Sequence, residues 1–89
     1  MGHPEKGATQ TLSVVARAPF EVYYEGEARS LTATNPIGEF DILPGHADFF
    51  SVLSPCDVII ETSHEPINFT ITNGIITVRD NEVMIFVNM

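Results

Sequence analysis

The side chains able to act as nucleophile, general acid or base, or metal ligand are few in this sequence. They are one cysteine, Cys56, three histidines, His3, His46 and His64, and a scatter of carboxylates. No Cys-x-x-Cys or His-x-x-x-His spacing is present, so no local pair is poised to hold zinc. A metal-dependent hydrolase would need distant residues to converge, and His46, Glu39 and Cys56 are the candidates for such a site. Cys56 precedes Asp57-Val58-Ile59-Ile60 and reads as a small, half-buried strand residue. A nucleophilic role for it needs a histidine and an orienting group nearby in space, and the spacing to His46 or His64 indicates neither. Glu39 and Asp41 lie two apart, hence on one face of a strand, where a paired-carboxylate site or a solvated face would serve equally. Gly38-Glu39 and Gly45-His46 are not followed by Gly-Lys-Ser/Thr, so no phosphate-cradling loop is indicated. Asn68-Phe69-Thr70 fits the glycosylation acceptor pattern, without a secretory signal to give it meaning. These residues specify no active site, and the expectation is a chain that works by binding, with no cofactor and no metal.

The elements that position them are short. Residues 11–18 put Leu12, Val14 and Ala16 on one face, the period of a strand. Pro19 breaks the ladder because it has no N–H to donate. Residues 20–25 set Phe20, Val22 and Tyr24 against Glu21, Tyr23 and Glu25, and Gly26 reads as the turn. Residues 27–34 form a weaker strand with Leu31 and Ala33 on one side. Asn35-Pro36 initiates a turn, residues 37–43 read as a strand, and Pro44-Gly45 presets the next reversal. Phe49 and Phe50 then read as core. Residues 56–62 are rich in β-branched side chains, and residues 67–72 alternate Ile67, Phe69 and Ile71 with Asn68, Thr70 and Thr72. Asn73-Gly74 is the strongest hairpin signal in the chain, and Asp80-Asn81 turns again before a last strand over 82–88. No helical periodicity and no internal repeat appear. The expected fold class is all-β, an antiparallel β-sandwich or flattened barrel of about 8–10 short strands.

With 89 residues one domain is expected. Residues 1–10 are polar and aperiodic and read as a disordered or appended start, with the sandwich over 11–89. Twelve acidic against four basic residues give a net charge of −8, which disfavours nucleic acid and an anionic membrane surface and suits a basic protein partner. A single cysteine fits a reducing compartment, and no apolar run approaches the ~18 residues of a membrane span.

The stretch Gly38-Glu39-Phe40-Asp41-Ile42-Leu43-Pro44-Gly45-His46-Ala47, followed by bulky Phe49-Phe50, resembles the signature of the epsilon subunit of F-type ATP synthases. Leu12-Ser13-Val14-Val15 and Ile71-Thr72-Asn73-Gly74-Ile75-Ile76-Thr77-Val78 extend the resemblance over nearly the whole chain. The resemblance implies a β-sandwich and a non-catalytic central-stalk subunit. Such a subunit docks the gamma subunit to the c-ring of a proton- or sodium-translocating synthase and couples rotation to ATP synthesis. It implies Glu39 and Gly38 on the c-ring side, and His46, Ser51 and Ala16 on the gamma side. It implies a peripheral location on the cytoplasmic face of the inner membrane, touched only through the c-ring. Asp41 stands where that family commonly has glycine, and Asp48 where it has proline. The family's C-terminal helical hairpin is absent, so inhibition and nucleotide binding are not expected, whether the hairpin was removed or never belonged.

The last strand is apolar on both sides, with Val83, Ile85 and Val87 against Met84 and Phe86. A strand of that kind expects cover on both faces, so Met84 and Phe86 are expected to form an exposed apolar patch awaiting helices or a partner. A stand-alone sandwich adaptor with an unrelated partner is the competing reading, and the small hydrolase is the third.

Overall fold

A computed structural model describes residues 11–88. The readings of residues 1–10 and of Met89 lie outside the described residues. Nine strands follow one another without a helix among the described residues: β1 (Leu12–Ala18), β2 (Glu21–Ala28), β3 (Ser30–Asn35), β4 (Gly38–Ile42), β5 (Phe49–Leu53), β6 (Cys56–Glu61), β7 (Ile67–Ile71), β8 (Gly74–Arg79) and β9 (Glu82–Val87). They form a β-sandwich of a five-stranded sheet, β2-β1-β9-β8-β5, and a four-stranded sheet, β4-β3-β6-β7.

Period-two patterning builds the core between the sheets. Leu12, Val14 and Ala16 of β1, Ile76 and Val78 of β8, and Val83, Ile85 and Val87 of β9 face Leu31, Ala33, Ile42, Val58, Ile60 and Ile71 of the other sheet, all buried. Each large aliphatic side chain so buried contributes about 1.5–3 kcal/mol. Aromatic pairs close the two lateral seams. Tyr23 stacks on Phe69 at 4.7 Å between ring centroids, and Phe40 meets Phe49 at 5.3 Å.

The expected sandwich is therefore present, and its sheets are antiparallel but for one pair. β1 and β9 run parallel, Ser13 to Arg17 beside Glu82 to Phe86, because the last strand fills the open side of the first. Three local readings of the sequence are corrected. Gly26 is no turn. It sits inside β2 opposite Val14, its Cα covered by the Tyr24 side chain, whose hydroxyl donates to the Glu27 carbonyl. The chain reverses only at Arg29. Second, the β1–β2 register shifts between Ala16 and Arg17, so Phe20, Val22 and Tyr24 do not share a face. Pro19 cannot take the positive φ of the primed turns that suit a two-residue hairpin, and a bulge restores the strand twist instead.

The third correction concerns Asn73-Gly74. It joins β7 of one sheet to β8 of the other and forms no hairpin. Neither residue has positive φ. Gly74 is required there for another reason: a Cβ would lie 2.7 Å from the Phe86 carbonyl oxygen. The tight hairpin is at Asp80-Asn81, with φ of 50° and 65°, the signature of a type I′ turn. Asn88 fastens the crossover from the far side. Its Oδ1 accepts from Thr72 N at 2.8 Å, and its backbone N donates to Asn73 O at 2.9 Å.

Candidate functional site

The pairing registers sort the turns into two ends. At one end lie the Pro19-Phe20, Pro36-Ile37 and Ser54-Pro55 turns with the 72–73 crossover. At the other lie the 43–48 turn, Asp80-Asn81 and the 62–66 loop. Glu39 and His46 therefore sit at opposite ends. Glu39 is exposed on the outer face of β4, whereas Cys56 is half-buried and packs against the core. The three residues of the hydrolase reading do not converge. Among the described residues no group of three or more His, Cys, Asp and Glu is placed to hold a metal ion.

Gly38 opens β4 at φ 151°, a value costly for any residue with a Cβ. The preceding turn is held by Asn35, whose Oδ1 accepts from Ile37 N at 2.9 Å and Gly38 N at 3.1 Å. Asn35 Nδ2 also donates to Ser51 Oγ at 3.2 Å, tying the turn to β5. His46 is half-buried. The Ala47 carbonyl accepts from its Nδ1 at 2.7 Å, and its ring meets Phe49 edge-on at 5.5 Å. The Leu43–His46 turn is closed by His46 N donating to Leu43 O at 3.0 Å, with Gly45 at φ 87°. Asn81 Oδ1 accepts from Gly45 N at 2.7 Å, so the β8–β9 hairpin braces this turn. A polar depression of about 420 Å³ lies here, lined by Gly45 to Asp48, Asp80 and Asn81.

Ala16 has no exposed surface and packs in the core, so it reaches a partner only through its neighbours Val15 and Arg17. Ser51 is half-buried on β5, the edge strand of its sheet. Phe49 lies partly inside, but Phe50 is 65% exposed, contrary to the reading of both as core. Two adjacent strand residues point to opposite faces, so one of the pair had to face outward.

The two outer faces of the sandwich differ in chemistry. On the five-stranded sheet the register aligns Val22, Arg17, Phe86, Ile75 and Val52 in one row and Glu25, Val15, Met84, Thr77 and Phe50 in the next. Met84 and Phe86 are 40% and 36% exposed. On the four-stranded sheet Thr32 Oγ1 donates to Asp41 Oδ1 at 2.6 Å and Thr70 Oγ1 to Asp57 Oδ1 at 2.7 Å, with Glu39 and Glu61 exposed nearby. Sequence reasoning does not pick out Val52 and Phe50 as surface residues, although strict alternation in 49–53 is the available signal.

A sandwich with one polar outer face and, on the other, an exposed apolar patch bordered by polar residues has the make-up of a protein-binding module. The comparisons place it further. Residues 9–89 match the family model of the ATP synthase Delta/Epsilon chain, beta-sandwich domain. The chain belongs to that family. The ATP synthase epsilon chain of Desulforudis audaxviator is 33% identical over 81 residues, covering 91% of this chain and 58% of the relative. That of Geobacter sulfurreducens is 30% identical, covering 88% of this chain and 56% of the relative. The chain thus spans somewhat over half the length of these relatives. Among solved structures, a chain of the Tetrahymena thermophila mitochondrial ATP synthase central stalk and c-ring superposes with a TM-score of 0.78 at 24% identity, over 90% of this chain and 65% of that one. A chain of the Euglena gracilis mitochondrial ATP synthase OSCP/F1/c-ring assembly gives 0.80 at 20%, over 86% and 50%. At these identities the superpositions speak for the shared fold. No helix of the described residues is long and apolar enough to cross a membrane.

Proposed function

We propose that this chain is a non-catalytic rotor subunit of the central stalk of an F-type ATP synthase, docking the gamma subunit to the c-ring so that rotation is coupled to ATP synthesis. The family match over residues 9–89 carries the reading. It is supported by the name of the relatives and by the central-stalk and c-ring setting of the superposed chains. In this reading the Gly38-Glu39 end meets the polar loops of the c-ring, where an exposed carboxylate pairs with basic or amide side chains. The gamma subunit lies along the β5 edge, over the His46 turn and Ser51. Met84 and Phe86 are covered by protein. The subunit is peripheral, at the cytoplasmic face of the inner membrane, and meets the bilayer only through the c-ring.

Single cysteines at the two ends test it in the assembled complex. Glu39→Cys is expected to cross-link to c-ring loops and His46→Cys to gamma. Cross-links of both to the same partner, or co-purification with neither partner, would refute the arrangement.

A further inference from the structure

The most exposed large apolar side chains among the described residues lie on neither face. They are Phe20, 100% exposed, and Ile37, 96% exposed. Each occupies the second position of a two-residue turn whose first residue is proline, Pro19-Phe20 between Ala18 and Glu21, and Pro36-Ile37 between Asn35 and Gly38. Turn tips in water are ordinarily Gly, Asn, Asp or Ser, which have local backbone reasons to be there. Phe and Ile have none.

The register places both tips at the same end of the molecule, the end of Glu39. The Tyr23–Phe69 seam sets the first tip at one corner, and the Phe40–Phe49 seam sets the second at the opposite corner. Each tip is followed within two residues by an exposed carboxylate, Glu21 after Phe20 and Glu39 after Ile37. At the other end the turns present Asp48, Asp80, His64 and Glu65, and their one large exposed apolar side chain among the described residues is Leu43, only 55% exposed.

We propose that these two turns form a two-point anchor, in which Phe20 and Ile37 seat in apolar depressions of a partner protein while Glu21 and Glu39 pair with basic or amide groups beside them. Charge complementarity selects that partner: the chain carries −8 overall, and both carboxylates stand exposed beside the tips. Pre-organisation favours it too. Proline fixes one dihedral in each turn, and the three hydrogen bonds of Asn35 hold the Ile37 turn in place, so little freedom is lost on docking. Buried aromatic anchors of this kind carry a disproportionate share of interface energy. The partner's identity as the c-ring rests on the proposed rotor role; the anchor itself rests on the two tips.

The test measures binding of the full chain to purified c-ring and, separately, to purified gamma subunit. The double variant Phe20→Ser/Ile37→Ser is expected to bind the c-ring about 10–100-fold more weakly and gamma unchanged. Both side chains lie outside the core, so the melting midpoint stays that of the parent. Glu21→Gln/Glu39→Gln is expected to flatten the salt dependence of c-ring binding. A parent chain that binds the c-ring while the double variant binds it equally well overturns the anchor alone. Loss of gamma binding in place of c-ring binding overturns its assignment to the c-ring. A parent chain that binds neither partner overturns the rotor role and this assignment with it.

Discussion

The two outer faces of the sandwich are built on one shared core yet end in opposite chemistry. On the four-stranded sheet, threonine hydroxyls satisfy aspartate carboxylates across neighbouring strands, Thr32 to Asp41 and Thr70 to Asp57. That face is complete in water. On the five-stranded sheet the register lines up Phe86, Ile75 and Val52 in one row and Met84 and Phe50 in the adjacent row, and no local pairing answers their exposure. The difference teaches where stability stops and recognition begins. Both sheets need their inward residues to fold, but only one spends its outward residues on apolar surface, which serves the isolated domain poorly and a docked one well.

The sharpest way to break this contrast lies within β9. Ile85 points inward and is fully buried, while Phe86 beside it is partly exposed. Ile85→Ala is expected to cost about 2–5 kcal/mol in chemical denaturation, and Phe86→Ala under about 1 kcal/mol. Equal costs would mean that the outer side of β9 is already part of a core. Next in size, Met84→Lys with Val52→Lys is expected to weaken association with the proposed partner subunits about tenfold or more, leaving secondary structure by circular dichroism intact. Thr32→Lys on the polar face serves as the comparison, and a matching loss there would erase the distinction between faces. Thr70→Val removes the hydroxyl donor to Asp57 and is expected to cost about 0.5–1.5 kcal/mol. Glu61→Gln, exposed at the end of β6, is expected to stay within about 0.5 kcal/mol of the parent by thermal melting.

Much of the fold is readable because inward residues repeat every second position. Residues 67–71 form the clearest example, with Ile67, Phe69 and Ile71 directed inward as their spacing demands. Local signals mislead where a long-range contact outweighs them. Asn73-Gly74 has the composition of a hairpin, but the packing of Gly74 against Phe86 uses glycine for closeness and not for positive φ. The parallel contact of β1 with β9 joins residues nearly a chain length apart, and nothing in either strand announces direction. Of the candidate site, the motif around Gly38-Glu39 and His46 is visible as a pattern, but its division between two ends follows only from register. Ala16 illustrates the limit: its position in a family pattern suggests a contact, whereas its alternation with Leu12 and Val14 already places it inside. Phe20 and Ile37 read as strand residues when the prolines before them are treated only as breaks. Where the side chain after each proline points depends on the turn that the paired strands close.

The side-by-side run of β1 and β9 has a mechanical consequence. Tension applied to the start of β1 and the end of β9 acts along the strands, so the ladder from Ser13 to Arg17 is loaded all at once and does not peel rung by rung. Both strands are also held on their far sides, by β2 and β8. A domain closed in this way resists stretching along its length far better than one closed by a terminal hairpin, and it would stay stiff under a repeating load.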